Sequence, residues 1–123
     1  MKKKSNPHPT IFVIFGGTGD LNKRKLSPAL YNLYIEGYMP EKFSIIGTGR
    51  TEFTGNQYQE ELLHSVNEFS RNGKVKKQDW NIFEKNIHYC TVDISVQKTF
   101  ENLKKEIVKY QKEFGSETQV IYY

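Results

Sequence analysis

Five consecutive apolar residues, Ile11-Phe12-Val13-Ile14-Phe15, stop abruptly at Gly16-Gly17-Thr18-Gly19, and an amphipathic pattern follows at once. A run that is apolar at every position, rather than at alternate ones, fits a strand covered on both faces at the centre of a parallel sheet. The glycines let the backbone turn tightly and approach a ligand closely. A helix starting behind them offers unpaired N–H groups and a partial positive charge. Together these features form an anion site suited to a dinucleotide pyrophosphate. A P-loop is excluded, because no Gly-x-x-x-x-Gly-Lys-Ser/Thr occurs.

Ahead of this stretch lies MKKKSNPHP, residues 1–9, expected to be a flexible basic tail with a solvated His8. Lys2, Lys3 and Lys4 carry most of the net charge of +4, so the remainder is nearly neutral and a broad nucleic-acid surface is excluded. Pro7 and Pro9 cannot serve a central ladder, which starts the first strand at about Thr10.

The first helix is expected from about Gly19 and Asp20, with Leu21, Leu26, Leu30, Leu33 and Tyr34 toward the sheet. Pro28 removes a helical hydrogen bond, which predicts a kink or restart with Ser27 as local cap. Gly37 and Pro40 end the helix, and FSIIG (43–47) reads as the second strand. Thr54 and Gln57 have capping-box spacing, followed by Tyr58, Leu62, Val66 and Phe69 on one helical face. After a polar connection over 71–77, Asp79 is expected to cap a short turn that puts Trp80 and Phe83 in the core. IHYCTVD (87–93) is the third strand, with His88 on its non-core or interface side and Cys90, the single cysteine, as a buried thiol. No Cys/His/carboxylate cluster accompanies His88, so no metal site is expected. Ser95 is expected to cap a helix with the stripe Val96, Phe100, Leu103, Ile107, Tyr110 and Phe114, ended by Gly115. The final strand is expected over 119–123.

This order, β-α-β-α-β-α-β, is that of an incomplete Rossmann-type doubly wound parallel α/β sheet. Residues 10–123 are expected to be the N-terminal part of an NAD(P)-binding domain in a longer protein. With no apolar run of spanning length and no signal peptide, the expectation is a soluble, cytoplasmic chain that contacts no membrane.

The second strand's end names the dinucleotide. An NAD site usually carries an acidic residue there, bonded to the ribose 2′-hydroxyl. Here the sequence reads Gly47-Thr48-Gly49-Arg50-Thr51, with no carboxylate before Glu52. A guanidinium fork matches a 2′-phosphate, so Arg50 favours NADP, with a hydroxyl bond from Thr48 or Thr51. The alternative is that Arg50 is a surface arginine with no ligand.

FGGTGDLNKRKLSPALYNLYIEGYMP followed by FSIIGTGR, with TVDIS and VIYY further on, resembles the N-terminus of the glucose-6-phosphate dehydrogenase family. The resemblance implies oxidation of glucose 6-phosphate to 6-phosphogluconolactone with NADP, opening the oxidative pentose phosphate pathway, and a homo-oligomer at full length. It implies that Gly16, Gly17, Thr18, Gly19, Asp20, Leu21, Asn22 and Lys23 hold the coenzyme pyrophosphate and Arg50 the 2′-phosphate. Asp93 and Ile94 would lie near the adenine, and Lys25 would reach toward the substrate. Asp20 reads better as a helix-start carboxylate than as a ligand, since it would repel pyrophosphate. The family's catalytic His–Asp pair lies beyond the fourth strand, so no catalytic residue is expected in these 123 residues. Two positions depart from the family pattern. Asn22 replaces a small Ala, which predicts a slightly opened turn or a bond to the ligand, and Gly49 replaces an Ala, which loosens the loop before Arg50. Another NAD(P)-dependent sugar oxidoreductase and a non-enzymatic nucleotide-binding module are the alternatives.

Overall fold

The computed structural model describes residues 8–70 and 73–123. Most of the basic tail, together with Arg71 and Asn72 of the polar connection, lies outside them. Strand β1 (Thr10–Phe15) pairs with β2 (Phe43–Gly49) on one side and with β4 (Gln119–Tyr122) on the other, and β3 (Ile87–Thr91) lies beyond β2. All three pairings are parallel, in the order β3-β2-β1-β4. The chain therefore winds outward from β1 to β3 and then crosses to the far side of β1, as a doubly wound sheet does.

The unbroken apolar run of β1 is explained by two cores, one on each face. Ile11 and Val13 meet Ile46, Leu103, Ile107 and Tyr110 beneath α4 (Gln97–Phe114). Phe12 and Ile14 face α1 (Ser27–Ile35), α2 (Gly55–Phe69) and α3 (Lys77–Phe83), among Leu30, Tyr31, Tyr58, Leu62, Trp80 and Phe83. Ile11, Val13 and Ile14 are fully buried, each contributing roughly 1.5–3 kcal/mol through lost apolar hydration. The aromatic side is tightly coupled: Tyr31 lies 5.6 Å from Trp80 and 5.2 Å edge-on from Phe83.

Several local details differ from the sequence expectation. The break expected at Pro28 falls at Ser27 and takes the form of a change from π to α geometry, with Pro28 in the first turn of α1. A π-helical turn (Asn22–Leu26) runs straight into α1, and Ser27 is itself helical (φ −65°, ψ −44°). Its N–H donates to the Asn22 carbonyl and its hydroxyl donates to Asn22 Oδ1 (2.8 Å), so Ser27 is not a cap. Widening one turn by a residue absorbs a proline that has no N–H to give. It also shifts the phase of the apolar stripe. Leu30 and Tyr31 are buried, whereas Leu21 and Leu33, expected toward the sheet, are exposed.

At α2 the capping box forms as expected, with reciprocal bonds between Thr54 and Gln57. Helix α3 begins after Lys76, so Asp79 sits in its first turn and does not cap it. Helix α4 begins after Val96 rather than Ser95. Ser95 instead donates its N–H and hydroxyl to Asp93 Oδ1, and the Thr99 hydroxyl accepts from the Asp93 N–H. Val96 is exposed and leaves the stripe. Strand β2 runs two residues further than expected, to Gly49, and β3 stops two residues earlier, at Thr91. His88 shares the α4-covered face with its neighbour Ile46 and stacks on Tyr110 at 4.8 Å, so it lies on a core side. Cys90 is half-buried against the same cluster.

Candidate coenzyme site

The C-terminal ends of β1, β2 and β3 open into one cleft of about 850 Å³. This is the crevice where open parallel sheets bind ligands, and its size suits a large organic ligand. Of the residues expected to bind, Gly16, Thr18, Gly19, Arg50, Asp93 and Ile94 line it. They are joined by Phe15, Thr48, Gly49, Val92, Ser95 and Phe100.

The β1 turn is shaped by two different uses of glycine. Gly16 has φ +68°, a conformation that side chains disfavour, and its carbonyl accepts from the Gly19 N–H (2.8 Å). Gly17 serves close packing: a Cβ there would lie 2.6 Å from Tyr58 Oη and 3.0 Å from the Cα of Gly47. Its N–H donates to the Thr48 carbonyl (2.7 Å), which locks the turn onto β2.

Six of the expected residues stand apart from the cleft lining: Gly17, packed as just described, and Asp20, Leu21, Asn22, Lys23 and Lys25. Asn22 is buried beneath the turn, where Nδ2 donates to the Gly17 carbonyl and Oδ1 accepts from Ser27. The larger side chain is thus accommodated by the π turn and by bonds to the protein's own backbone. Asp20 pairs with Arg24 (3.0 Å) one turn along the helix, consistent with the structural reading of that carboxylate. Lys23 lies 3.6 Å from Glu61, and Leu21 is exposed. Lys25 is exposed on the π turn.

Across the cleft, Arg50 is exposed just past β2. Asp93 faces it from the β3 end. Its carboxyl is held below the usual range first by the Ser95 hydroxyl, then by the Ser95 N–H, with a smaller contribution from the Arg50 charge. Ile94 is strongly exposed beside it and offers an apolar flank. Basic, glycine-lined and apolar parts therefore occupy separate places in one crevice, an arrangement suited to a dinucleotide.

Sequence reasoning missed the support under the cleft. Tyr58 Oη donates to the Gly17 carbonyl (3.1 Å), and the Tyr89 hydroxyl donates to the Thr51 carbonyl. Burial raises the pKa of both tyrosines, most strongly that of Tyr58, which keeps the phenols as donors. The available signals were Gly47 and Gly49 at the end of the second strand, glycines of the kind that mark a close approach.

Residues 13–123 match the family model described as glucose-6-phosphate dehydrogenase, NAD binding domain. The chain belongs to the glucose-6-phosphate dehydrogenase family. It is 32% identical over 115 residues to glucose-6-phosphate 1-dehydrogenase of Chlamydia muridarum, covering 94% of this chain and 23% of that protein. The Rhizobium meliloti protein of the same name is 34% identical over 97 residues, covering 79% of this chain and 20% of the relative. A solved glucose-6-phosphate dehydrogenase in complex with its substrate glucose-6-phosphate superposes with a TM-score of 0.84 at 28% identity, over 99% of this chain and 25% of that one. This chain thus spans a quarter or less of the length of these relatives. The family assignment makes the coenzyme class a nicotinamide dinucleotide, in agreement with the arrangement of the cleft.

Proposed function

We propose that this chain is the NADP-binding N-terminal part of a glucose-6-phosphate 1-dehydrogenase, which oxidises D-glucose 6-phosphate to 6-phosphogluconolactone at the entrance to the oxidative pentose phosphate pathway. The observation that carries the coenzyme choice is Arg50 at the mouth of the cleft, directly after β2, where an NAD site would place a carboxylate. In this reading the turn Gly16–Gly19 and the following helix start receive the pyrophosphate, Arg50 grips the 2′-phosphate, and Ile94 flanks the adenine. Lys25 serves the sugar phosphate. The bound nicotinamide supplies the hydride acceptor. The residues of this chain bind and orient the coenzyme, while proton removal from the sugar falls to the remainder of a homo-oligomeric cytoplasmic enzyme.

The test is Arg50→Ala in the full-length protein, with dissociation constants measured for both coenzymes. Loss of a charge-assisted, bidentate pair weakens NADP by about ten- to a hundredfold. NAD carries no 2′-phosphate, so its affinity changes by less than about threefold on the same reasoning. Raising the salt concentration narrows the gap between wild type and variant. Equal losses for the two coenzymes would refute the assignment.

A further inference from the structure

Beneath the cleft two tyrosines lie ring beside ring, Tyr58 from α2 and Tyr89 from β3, with centroids 4.9 Å apart. Each commits its hydroxyl to one backbone carbonyl. Tyr58 donates to Gly17, in the glycine turn, and Tyr89 donates to Thr51, in the loop that follows β2. We propose that Tyr58 and Tyr89 are positioning residues for two separate phosphate subsites, Tyr58 for the pyrophosphate and Tyr89 for the 2′-phosphate. The inference rests on the reading that the cleft takes NADP.

On the turn side, the link is the geometry of one peptide unit. The peptide joining Gly17 to Thr18 is trans, so its C=O and N–H point in opposite directions. Tyr58 Oη and Asn22 Nδ2 both draw the carbonyl inward, beneath the turn. The N–H of Thr18 is thereby directed outward, on the side where Thr18 lines the cleft. An amide aimed this way is a preorganised donor for a phosphate oxygen. The tyrosine cannot drift. It is fully buried, and its ring fills the space left by Gly47, where a Cβ would stand 2.1 Å from Oη.

On the other side, the Thr51 carbonyl lies one residue past Arg50, so the Tyr89 bond ties the arginine's loop back to β3. A Cβ at Gly49 would approach Tyr89 Oη to 2.9 Å. Gly49 and Tyr89 therefore form a matched pair: the glycine opens the path that the hydroxyl takes to its acceptor. The flexibility that a glycine brings before Arg50 is offset by an anchor immediately after it.

The experiment uses the full-length protein with Tyr58→Phe and Tyr89→Phe, which keep both rings and remove one hydroxyl each. Binding is measured by calorimetry for NADP, NAD and adenosine 2′-monophosphate, and melting is recorded alongside. Tyr58→Phe is expected to weaken NADP and NAD alike, by about three- to tenfold, and to leave adenosine 2′-monophosphate within about twofold. Tyr89→Phe is expected to weaken NADP and adenosine 2′-monophosphate by about three- to tenfold and to leave NAD within about twofold. This crossed pattern cannot arise from general loosening, which acts on all three ligands together. Wild-type binding of NADP with uncrossed or absent effects would overturn the positioning roles alone. Failure of the wild-type protein to bind NADP would overturn the coenzyme reading and the positioning roles with it.

Discussion

Gly47→Ala tests the packing on which the turn depends. The added Cβ would stand 2.1 Å from Tyr58 Oη, 2.2 Å from Cζ and 2.6 Å from Cε2, all well inside contact distance. The ring has no free space to enter: it is fully buried, with Tyr89 at 4.9 Å and Phe53 at 6.5 Å between centroids. Any displacement large enough to admit the methyl group also breaks the hydroxyl's bond to Gly17. Overpacking costs about 1–3 kcal/mol and the lost bond about 1 kcal/mol, so the expected destabilisation is about 2–4 kcal/mol. Urea unfolding of the full-length protein measures it, with Tyr58→Leu as a second background. The shorter leucine vacates the clash, so Gly47→Ala should cost less than about 1 kcal/mol there, and the difference is the coupling energy. An unchanged urea midpoint in Gly47→Ala, or an equal loss in both backgrounds, would refute the reasoning.

Three further perturbations follow from the structure. Burial, and secondarily the Lys109 charge, lowers the His88 pKa from 6.5 to about 4. Between those values the unfolded chain takes up a proton that the native state refuses, so stability falls as the pH drops; His88→Gln should flatten the unfolding profile in this window, and superimposable profiles would count against the claim. Thr54→Ala removes one arm of the capping box and should cost about 1 kcal/mol in denaturant unfolding. Asn22→Ala deprives the Ser27 hydroxyl of its buried acceptor and the Gly17 carbonyl of one donor, which should cost about 1–3 kcal/mol by the same assay.

What was readable in the sequence follows from the range of the interactions involved. The α4 stripe and the α2 capping box are set by residues three or four positions apart, and both formed much as their spacing predicts. The doubly wound order was readable because Ile11–Phe15 is an unbroken apolar run, a pattern that fits a strand covered on both faces. The π turn was not. It depends on how Asn22, Ser27 and Pro28 share a few polar groups within the fold, and Ser27 alone looks like a cap. Arg50, Asp93 and Ile94 share the cleft with the glycine turn because parallel strands bring their C-terminal ends together. The tyrosine supports were hidden for the opposite reason. Tyr58 reads as one apolar member of a helical stripe, and its polar end meets a carbonyl on a segment far away in sequence. Ser95 misled in a local way: Asp93 and Thr99 close the turn before α4, and the competing side-chain bonds move the helix start by one residue.

The strand order also sets a timetable. Strand β1 gains its first neighbour when Thr10 meets Phe43, but its other edge waits for Gln119. That second closure spans roughly 110 residues and costs about 1 kcal/mol more loop entropy than the first. While the chain emerges from the ribosome at roughly 5–20 residues per second, this edge stays unpaired for several seconds. The same strand that carries the glycine turn is thus, during synthesis, a segment open to pairing with the wrong neighbour.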